Sequence, residues 1–328
     1  MVEVREMAPA VTNRIDVTMG FDGAYAPHAA AVIAAVSRHA DNAPFRFIIL
    51  YENVSRDVQE RIEKSAPGSS FIWREVGDED VPAFESRRHL TRATLYRLGL
   101  EHLAPADCER LIYLDADITV LGDLRDLWSM DLKGCALGAV ADGYLNTEHF
   151  EGKTFHQTWD LPEGEYFNAG ILLIDLTKVR KEALFTKAMH FAAEHDEGLP
   201  YNDQDALNWT FWQSWQPLPV SWNVQASHLQ DWAVAEQPVH RRLGGAYPDI
   251  VHFTGPEKPW VKDGYHPWSW VYWDSLKRTD FLREVSGKQG FRIIDRLRLR
   301  VRWMRKHPGR LMQKKRSASH DHISGSSQ

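Results

Sequence analysis

Cysteine is scarce in this chain, which has only Cys108 and Cys135 among its 328 residues. Two thiols give neither the disulfide framework of a small secreted domain nor the ligand spacing of a zinc site, so we expect ordinary buried or partly buried thiols. The chain also lacks a run of about 18 apolar residues, which a membrane-spanning helix requires. Its N-terminus lacks the apolar segment of a signal peptide. These absences predict a cytoplasmic protein.

The length allows one large domain or two small ones, with ample apolar core. Composition divides the chain into a loose N-terminus (1–13), a folded region (14–287), a basic segment (288–316) and a polar tail predicted to be disordered (317–328). Thirteen Trp indicate aromatic-walled clefts, with core packing as the alternative.

The order of predicted elements favours an α/β fold. Ile15–Met19 predicts a strand that ends at a glycine-containing turn, and Tyr25–Ala40 predicts the helix that follows. Phe45–Tyr51 is a near-continuous apolar run, typical of strands in a buried parallel sheet. Thr177–His195 predicts one long amphipathic helix. A ligand beyond the first strand would contact Asp22, although a plain turn residue is the favoured interpretation there.

The most informative stretch is LIYLDADITVL, in which an apolar strand leads into Asp115, Ala116 and Asp117. Residues two apart in an extended chain point to the same side, so both carboxylates aim at one point beyond the strand. Carboxylates this close repel each other unless a cation lies between them or one stays protonated. The pattern indicates a divalent-metal site for a phosphate-bearing ligand. The alternative is a turn with two solvated acids.

Two predicted helices carry polar residues with two interpretations each. Arg97, inside His89–Leu103, either points its guanidinium into a phosphate or sugar cleft or is a solvated surface residue, and the sequence alone favours the second. Asp203 and Gln204 stand at the start of Tyr201–Trp212, where either one suits the N-cap of a helix.

Two further segments combine glycine with functional side chains. Asn168 begins an apolar strand and is followed by Ala-Gly, which indicates close approach of another group to the backbone at Gly170. The segment HFTGPEKPW contains a metal-capable imidazole at His252, a glycine at Gly255 and a cation for phosphate oxygens at Lys258. The alternative for it is a turn with a structural histidine.

The basic segment differs from the acidic remainder. Between Lys288 and Arg316 it contains twelve Lys or Arg and one acid, Asp295, within a chain of net charge −6. Wound as a helix, it places apolar residues on one face bordered by Arg, namely Ile293, Ile294, Leu297, Val301 and Met304. That pattern is typical of a helix on anionic lipid. Apolar and basic residues alternate strictly over Leu297–Trp303, so a β-strand is the alternative structure for this part of the segment. Nucleic acid is the competing partner, which we disfavour because no reading motif accompanies the charge.

Together these motifs resemble the family 8 glycosyltransferases, especially bacterial lipopolysaccharide galactosyl- and glucosyltransferases, with glycogenin a more distant relative. The matching stretches, from Ile15 to Trp260, are the first strand and turn, LTRATLYRL, RLIYLDADITVLGDLRDLW, YFNAGILLIDL, NDQDALNW and HFTGPEKPW. The resemblance implies a GT-A type α/β fold over 14–287, a single Rossmann-like domain with a mixed central sheet. It implies transfer of a hexose from UDP-galactose or UDP-glucose to a saccharide acceptor, with retention at the anomeric carbon.

The resemblance also implies roles for individual residues. The metal ligands would be Asp115, Asp117 and His252, for Mn²⁺ or Mg²⁺, which suit oxygen donors with one imidazole. Nucleotide and donor-sugar contacts would come from Gly20, Asp22, Arg97 and Ala116, and diphosphate contacts from Gly255 and Lys258. Residues lining the sugar pocket would be Asp142, Asn168, Asp203 and Gln204.

The function that this implies is a metal-dependent retaining glycosyltransferase that extends a lipid-linked glycan such as lipopolysaccharide core. The basic tail would hold it on the cytoplasmic face of the membrane. One alternative is a self-glucosylating primer protein like glycogenin. Another is a non-catalytic sugar-nucleotide binding protein, which the full set of Asp115, Asp117, His252 and Lys258 argues against. A metal-dependent nucleotidyltransferase would leave HFTGPEKPW unexplained.

Overall fold

A mixed seven-stranded sheet lies at the centre of this computed structural model, which describes residues 14–39, 45–81, 92–147, 151–195, 198–229, 248–256, 258–262 and 266–306. The strands are β1 (Ile15–Asp22), β2 (Phe45–Glu52), β3 (Ser70–Glu75), β4 (Arg110–Leu114), β5 (Ile118–Val120), β6 (Leu137–Ala141), β7 (Phe167–Asp175), β8 (Gln216–Pro217) and β9 (Ile250–His252). The sheet has the order β3-β2-β1-β4-β7-β6-β8, while β5 and β9 form a separate pair.

Helices cover both faces of the sheet. The α-helices are α1 (Ala26–Arg38), α2 (Arg56–Glu63), α3 (Leu100–Leu103), α4 (Leu124–Trp128), α5 (Phe155–Thr158), α6 (Leu176–Glu182), α7 (Leu184–Glu194), α8 (Asn202–Thr210), α9 (Ala226–Leu229), α10 (Ser269–Leu276), α11 (Leu282–Lys288) and α12 (Ile293–Lys306). In the part of the chain that the structure describes, 3₁₀ helices span Arg92–Gly99 and Val220–Trp222.

Strand β2 shows how one sheet supports two cores. Its successive side chains point to opposite faces. Phe47 and Ile49 pack in the core that contains α1, whereas Ile48 and Leu50 pack in the core that contains the Arg92–Gly99 helix. A strand buried on both faces needs a continuous apolar run, and that run made β2 predictable.

Strand directions confirm the predicted mixed sheet. Strands β1 to β4 of the sheet run parallel, and β7 pairs antiparallel with both β4 and β6. The carboxyl ends of β1 and β4 therefore meet at one edge, where ligands of such sheets bind. Asp22 ends β1 and Asp115 follows β4 at this edge.

Several local predictions hold. The sequence over Ser55–Ser65 predicts a helix with Ser55 as its N-cap, and Ser55 does cap α2, because its hydroxyl oxygen accepts the N–H of Val58 at 3.5 Å. Cys108 is buried, Cys135 is half-buried, and both are free thiols. Among the helices in the described ranges, none is both long and apolar enough to cross a membrane.

The long helix predicted over Thr177–His195 is wrong, because the chain breaks at Ala183 into α6 and α7. Ala183 adopts a left-handed conformation with φ of 50°. The new N-terminus at α7 is capped from outside: the carboxylate of Glu101 accepts the N–H of Phe185 at 3.0 Å and that of Thr186 at 3.1 Å. A cap from a distant residue is invisible to local periodicity.

The α-helix predicted over His89–Leu103 is also wrong for most of its length. Residues 89–91 lie outside the described ranges, Arg92–Gly99 is a 3₁₀ helix, and only Leu100–Leu103 is α-helical. Over two turns, apolar spacings of three residues fit periods of 3.0 and 3.6 almost equally well.

Within its described residues, the basic segment is helical over α12, so the alternative strand over Leu297–Trp303 is wrong. Trp303 is buried, and its ring centroid lies 5.6 Å from that of Trp268 and 5.2 Å from that of Trp270. The helix is thus packed onto the folded region through one aromatic side. Residues 1–13, predicted to be a loose end, and 317–328, predicted to be a disordered tail, lie outside the described ranges, as do residues 307–316 of the basic segment.

Candidate active site

The side chains of Asp115, Asp117 and His252 converge beyond the carboxyl end of β4. One potential ligand atom from each residue lies within 4.8 Å of the others. His252 Nε2 is 3.2 Å from Asp117 Oδ1 and 3.8 Å from Asp115 Oδ2. The structure therefore brings together the three residues predicted as metal ligands, although His252 is far from the two acids in the sequence.

Backbone pairing creates this convergence. Strand β9 runs antiparallel to β5 with His252 opposite Ile118, and the N–H of Phe253 donates to the carbonyl of Asp117 at 3.0 Å. The two acids lie in the turn between β4 and β5, so the predicted mechanism, an extended strand with alternating sides, is wrong. The turn nevertheless directs both carboxylates towards His252.

Gly170 in β7 leaves the space that these ligands occupy. The N–H of Asp115 donates to the Gly170 carbonyl at 2.8 Å, which extends the pairing of β4 and β7. A Cβ added at Gly170 would overlap the His252 ring and lie 2.8 Å from Asp115 Oδ2. The groups that approach the Asn-Ala-Gly backbone are thus the predicted metal ligands.

Arg97 is buried in the site, so the interpretation favoured by the sequence alone, a solvated surface residue, is wrong. Its Nη2 donates to Asp115 Oδ1 at 2.9 Å, its Nε lies 2.8 Å from Asp203 Oδ2, and its Nη1 donates to the Ala169 carbonyl. The guanidinium also lies 4.7 Å from the centroid of the Tyr113 ring. It joins a predicted metal ligand to a predicted sugar-pocket acid.

Lys258 places a cation beside the acidic pair. Its Nζ donates to Asp117 Oδ2 at 2.6 Å and to the Phe253 carbonyl at 2.7 Å. Burial acts to raise the pKa of Asp117, but Lys258 and His252 outweigh it and hold that pKa below its ordinary value. Asp117 is therefore a carboxylate, the form that binds metal.

Asp203 is a buried acid of a different character. Burial raises its pKa to about 6, against the opposing influence of Arg97. It is not the N-cap of α8, because that position is Tyr201, whose N–H donates to Asp205 Oδ2 at 2.8 Å. Asp203 is thus free of the capping role that the sequence offered as its alternative.

The remaining sugar-pocket candidates are held in place by hydrogen bonds. Asp142 Oδ1 accepts the N–H groups of Tyr144 and Leu145, both at 2.9 Å. Gln204 Oε1 accepts the N–H of Ala169 at 2.9 Å, so Gln204 does not act as a cap either. Its amide oxygen retains one lone pair for a further contact.

A cavity of about 870 Å³ unites these groups. The predicted site residues that line it are Gly20, Arg97, Asp115, Ala116, Asp117, Asp142, Asn168, Asp203, Gln204, His252, Gly255 and Lys258. Asp22 is not among the lining residues. Its Oδ1 accepts the N–H groups of Ala24 at 3.0 Å and Tyr25 at 3.1 Å, as the alternative turn role predicted.

The cavity carries an excess of negative charge. Among the described lining residues, four carboxylates (Asp115, Asp117, Asp142 and Asp203) face two cations (Arg97 and Lys258), an excess of two negative charges. A diphosphate entering alone would meet net repulsion. A divalent cation would balance that excess, and two carboxylates with one imidazole are donors that Mn²⁺ and Mg²⁺ accept.

Sequence reasoning missed Asn223, whose buried amide contacts both His252 and Asn168. It lies in the stretch Pro217–Tyr247, whose Trp, Pro and Gly content and weak periodicity predict irregular structure. Residues 230–247 of that stretch lie outside the described ranges. Polar residues alternate with apolar ones in Trp-Asn-Val-Gln, and this was the only local signal.

Comparison with known proteins gives a consistent family match. The sequence profile of glycosyl transferase family 8 matches residues 16–264. General stress protein A of Bacillus subtilis is 28% identical over 267 residues, covering 79% of this chain and 91% of that protein. Lipopolysaccharide 1,2-glucosyltransferase of Escherichia coli is 25% identical over 286 residues, covering 86% and 82%. Glycosyltransferase GlyF of Streptococcus pneumoniae is 28% identical, and the match spans 57% of its length.

Solved structures agree. The structure of the galactosyltransferase LgtC with donor and acceptor sugar analogues has a TM-score of 0.66 and 26% identity, covering 84% of this chain and 96% of that chain. An active-site mutant of LgtC has a TM-score of 0.70 and 24% identity, covering 81% and 96%. These likenesses confirm the predicted GT-A type fold.

Proposed function

The chain belongs to glycosyl transferase family 8, and from that membership we propose a metal-dependent, retaining hexosyltransferase that uses a UDP-sugar as donor. The observation that carries the proposal is the cluster of Asp115, Asp117 and His252 in a cavity with two excess negative charges. Such a cavity accepts a nucleoside diphosphate only together with a divalent cation.

The leaving-group side of the reaction would involve the metal ligands and Lys258. When bound, Mn²⁺ or Mg²⁺ would supply Lewis-acid stabilisation of the departing diphosphate. Lys258 lies at the same wall of the cavity, 2.6 Å from Asp117, and its ammonium group would donate to a phosphate oxygen. Gly255 lines the same cavity and has a φ of 78°, a conformation that favours glycine.

The sugar side would rest on Asp142, Asp203 and Gln204. As the bond from the anomeric carbon to the phosphate oxygen breaks, positive charge develops on the sugar ring, as in glycoside hydrolysis. The carboxylates and the Gln204 amide oxygen would stabilise that charge. Gln204 is a poor nucleophile, so we favour attack from the leaving-group face. The acceptor oxygen then bonds to the anomeric carbon, and its proton passes to the departing phosphate. A trapped glycosyl adduct on Asp203 or Gln204 would overturn this route.

The acceptor would be a saccharide. One similar protein is named a lipopolysaccharide 1,2-glucosyltransferase, and a similar structure contains an acceptor sugar analogue, which supports a glycan such as lipopolysaccharide core. Galactose and glucose differ in the orientation of one hydroxyl, which a few pocket hydrogen bonds discriminate. Both UDP-sugars therefore belong in the test.

The test is release of UDP from UDP-glucose and UDP-galactose with Mn²⁺, with Mg²⁺ and with EDTA. We expect turnover with one or both donors, loss with EDTA, and recovery when Mn²⁺ is restored. The double variant Asp115→Ala with Asp117→Ala should be inactive, while Asp126→Asn, an exposed acid on α4, should match the wild type. Full activity in EDTA or in the double variant would refute the proposal. A mass increase of the protein itself would instead favour a glycogenin-like primer.

Membrane association through α12 is a separate part of the proposal. Its support is the exposure of Ile293, Ile294, Leu297 and Val301, which are 70, 50, 56 and 40% exposed. Arg298, Arg300 and Arg302 of the same helix are also exposed, as is Arg292 directly before it. Exposed apolar residues bordered by Arg are typical of helices on anionic lipid.

Because Trp303 is part of the core, substitution tests this idea better than truncation. We expect Ile294→Ser with Leu297→Ser to lose binding to vesicles that contain phosphatidylglycerol. Val261→Ser, which alters an exposed apolar residue elsewhere, should bind as the wild type does. Equal sedimentation of the double variant with vesicles would show that α12 is not the anchor.

A further inference from the structure

Asn223 bonds two residues of the site at once through a fully buried amide. Its Nδ2 donates to Asn168 Oδ1 at 2.9 Å, and its Oδ1 lies 3.1 Å from His252 Nδ1. We propose that Asn223 is a positioning residue that fixes the tautomer of His252 for metal binding and couples the metal ligands to the sugar pocket. This inference rests on the proposed metal-dependent function.

The orientation of Asn168 is fixed by two partners that each have one hydrogen-bonding role. The Gly170 N–H can only donate, and it does so to Asn168 Oδ1 at 3.1 Å. The Asp142 carboxylate can only accept, and Oδ2 accepts from Asn168 Nδ2 at 3.1 Å. Flipping the Asn168 amide would break both bonds.

The orientation of the Asn168 amide determines that of the Asn223 amide, and through it which nitrogen of His252 is protonated. Because Asn168 presents its oxygen, Asn223 must present its NH₂ group there, and its own oxygen then faces His252 Nδ1. Nδ1 must therefore carry a proton, so in the neutral ring that would bind a metal the lone pair belongs to Nε2. Nε2 is the nitrogen that faces Asp117, at 3.2 Å. A metal ligand commonly has its second ring nitrogen fixed in this way.

The backbone around Asn223 makes the contact rigid. The Val224 N–H donates to the Ile250 carbonyl at 2.9 Å, and the His252 N–H donates to the Val224 carbonyl at 2.9 Å. Asn223 therefore cannot shift relative to β9. The chain Asp142–Asn168–Asn223–His252 forms one hydrogen-bonded unit from the sugar pocket to the metal ligands.

The decisive variants separate the two bonds of Asn223. Asn223→Ala removes both, whereas Asn223→Asp keeps an acceptor for His252 Nδ1–H and loses the donor to Asn168. Asn208→Ala is the matched control, because Asn208 is equally buried but bonds to the backbone of Phe167 and Gln204, away from His252. Circular dichroism and thermal melting would establish which variants fold.

Binding of Mn²⁺ in the absence of nucleotide can be monitored through the EPR signal of free Mn²⁺. This readout does not depend on enzymatic activity. We expect Asn223→Ala to weaken binding about 10- to 100-fold, the usual effect of removing such a partner of a ligand. Asn223→Asp should restore Mn²⁺ affinity but raise KM for the sugar nucleotide, because Asn168 loses its partner. A folded Asn223→Ala variant with wild-type Mn²⁺ affinity would overturn the proposal.

The wild-type protein provides a test that does not depend on any variant folding. Long-range ¹H–¹⁵N correlation spectra of the histidines report which ring nitrogens are protonated. We expect His252 Nδ1 to be protonated, and an unprotonated Nδ1 would refute the inference. Failure of the proposed function would appear as absent UDP-sugar turnover, whereas these two measurements need no turnover.

Discussion

The backbone of Gly170 and the ring of His252 lie so close that no side chain fits between them. A Cβ at Gly170 would overlap the imidazole and also approach Asp115 Oδ2 to 2.8 Å. Gly170 is not among the described glycines with positive φ, so space and not backbone conformation requires glycine here. One missing Cβ in β7 thus allows ligands from two other segments to meet.

Gly170→Ala should therefore displace the predicted metal ligands. We expect Mn²⁺ affinity to fall by roughly tenfold or more, in the range seen when ligand positioning is disturbed. Calorimetric titration with Mn²⁺ measures this. Gly287→Ala is the control, because a Cβ there meets nothing within 4 Å, and it should leave Mn²⁺ binding intact while stabilising α11 by about 0.5–1 kcal/mol. Unchanged Mn²⁺ affinity in Gly170→Ala would contradict the site geometry.

Removing the Lys258 ammonium should weaken nucleotide binding. A hydrogen bond to a charged group contributes about 1.5–3 kcal/mol, so Lys258→Met should raise the Kd for UDP in the presence of Mn²⁺ about 10- to 100-fold. Lys262→Met removes an exposed Lys nearby and should bind UDP like the wild type. Fluorescence or calorimetric titration provides the Kd. If both variants behaved alike, Lys258 would have no role at the diphosphate.

The rate of transfer should depend on the ionisation of Asp203. Because burial raises its pKa to about 6, the carboxyl group keeps its proton below about pH 6 and is charged above it. Only the charged form pairs with Arg97 and stabilises positive charge on the sugar, so kcat should rise with pH through about 6. Asp203→Asn should lower kcat and abolish this rise of kcat with pH, which is the acidic limb of the pH profile. Asp126→Asn should keep it, and persistence of the limb in Asp203→Asn would assign it to another group.

The break between α6 and α7 predicts an effect on stability. The left-handed conformation of Ala183 has a steric cost of about 1–2 kcal/mol. Glycine would avoid that cost but would lose about 0.5–1 kcal/mol in backbone entropy on folding. Ala183→Gly should therefore raise the free energy of unfolding by about 0.5 kcal/mol in urea titrations. Ala193→Gly, an exposed position within α7, should lower it by up to about 1 kcal/mol. A loss of stability in Ala183→Gly would show that the strain is absent.

Local sequence patterns were enough for the parts of the fold that depend on neighbours in the chain. Continuous apolar runs predicted β2 and β7, and Ser55 was identified as a cap because its bond to Val58 spans three residues. The acidic pair was identified because two carboxylates so close together call for a cation. The family resemblance then connected these acids with His252, which no local pattern could do.

Tertiary structure decided what depends on partners distant in the chain. Arg97 is buried because Asp115 and Asp203 lie on either side of its guanidinium, and α7 begins where Glu101 caps it. The role of Asn223 follows from the pairing that sets β9 beside β5. By itself the sequence determined which segments are strands and which residue types could bind metal and phosphate. The register between strands determined which of them meet, because a hydrogen-bonded ladder fixes side chains that spacing along the chain leaves unrelated.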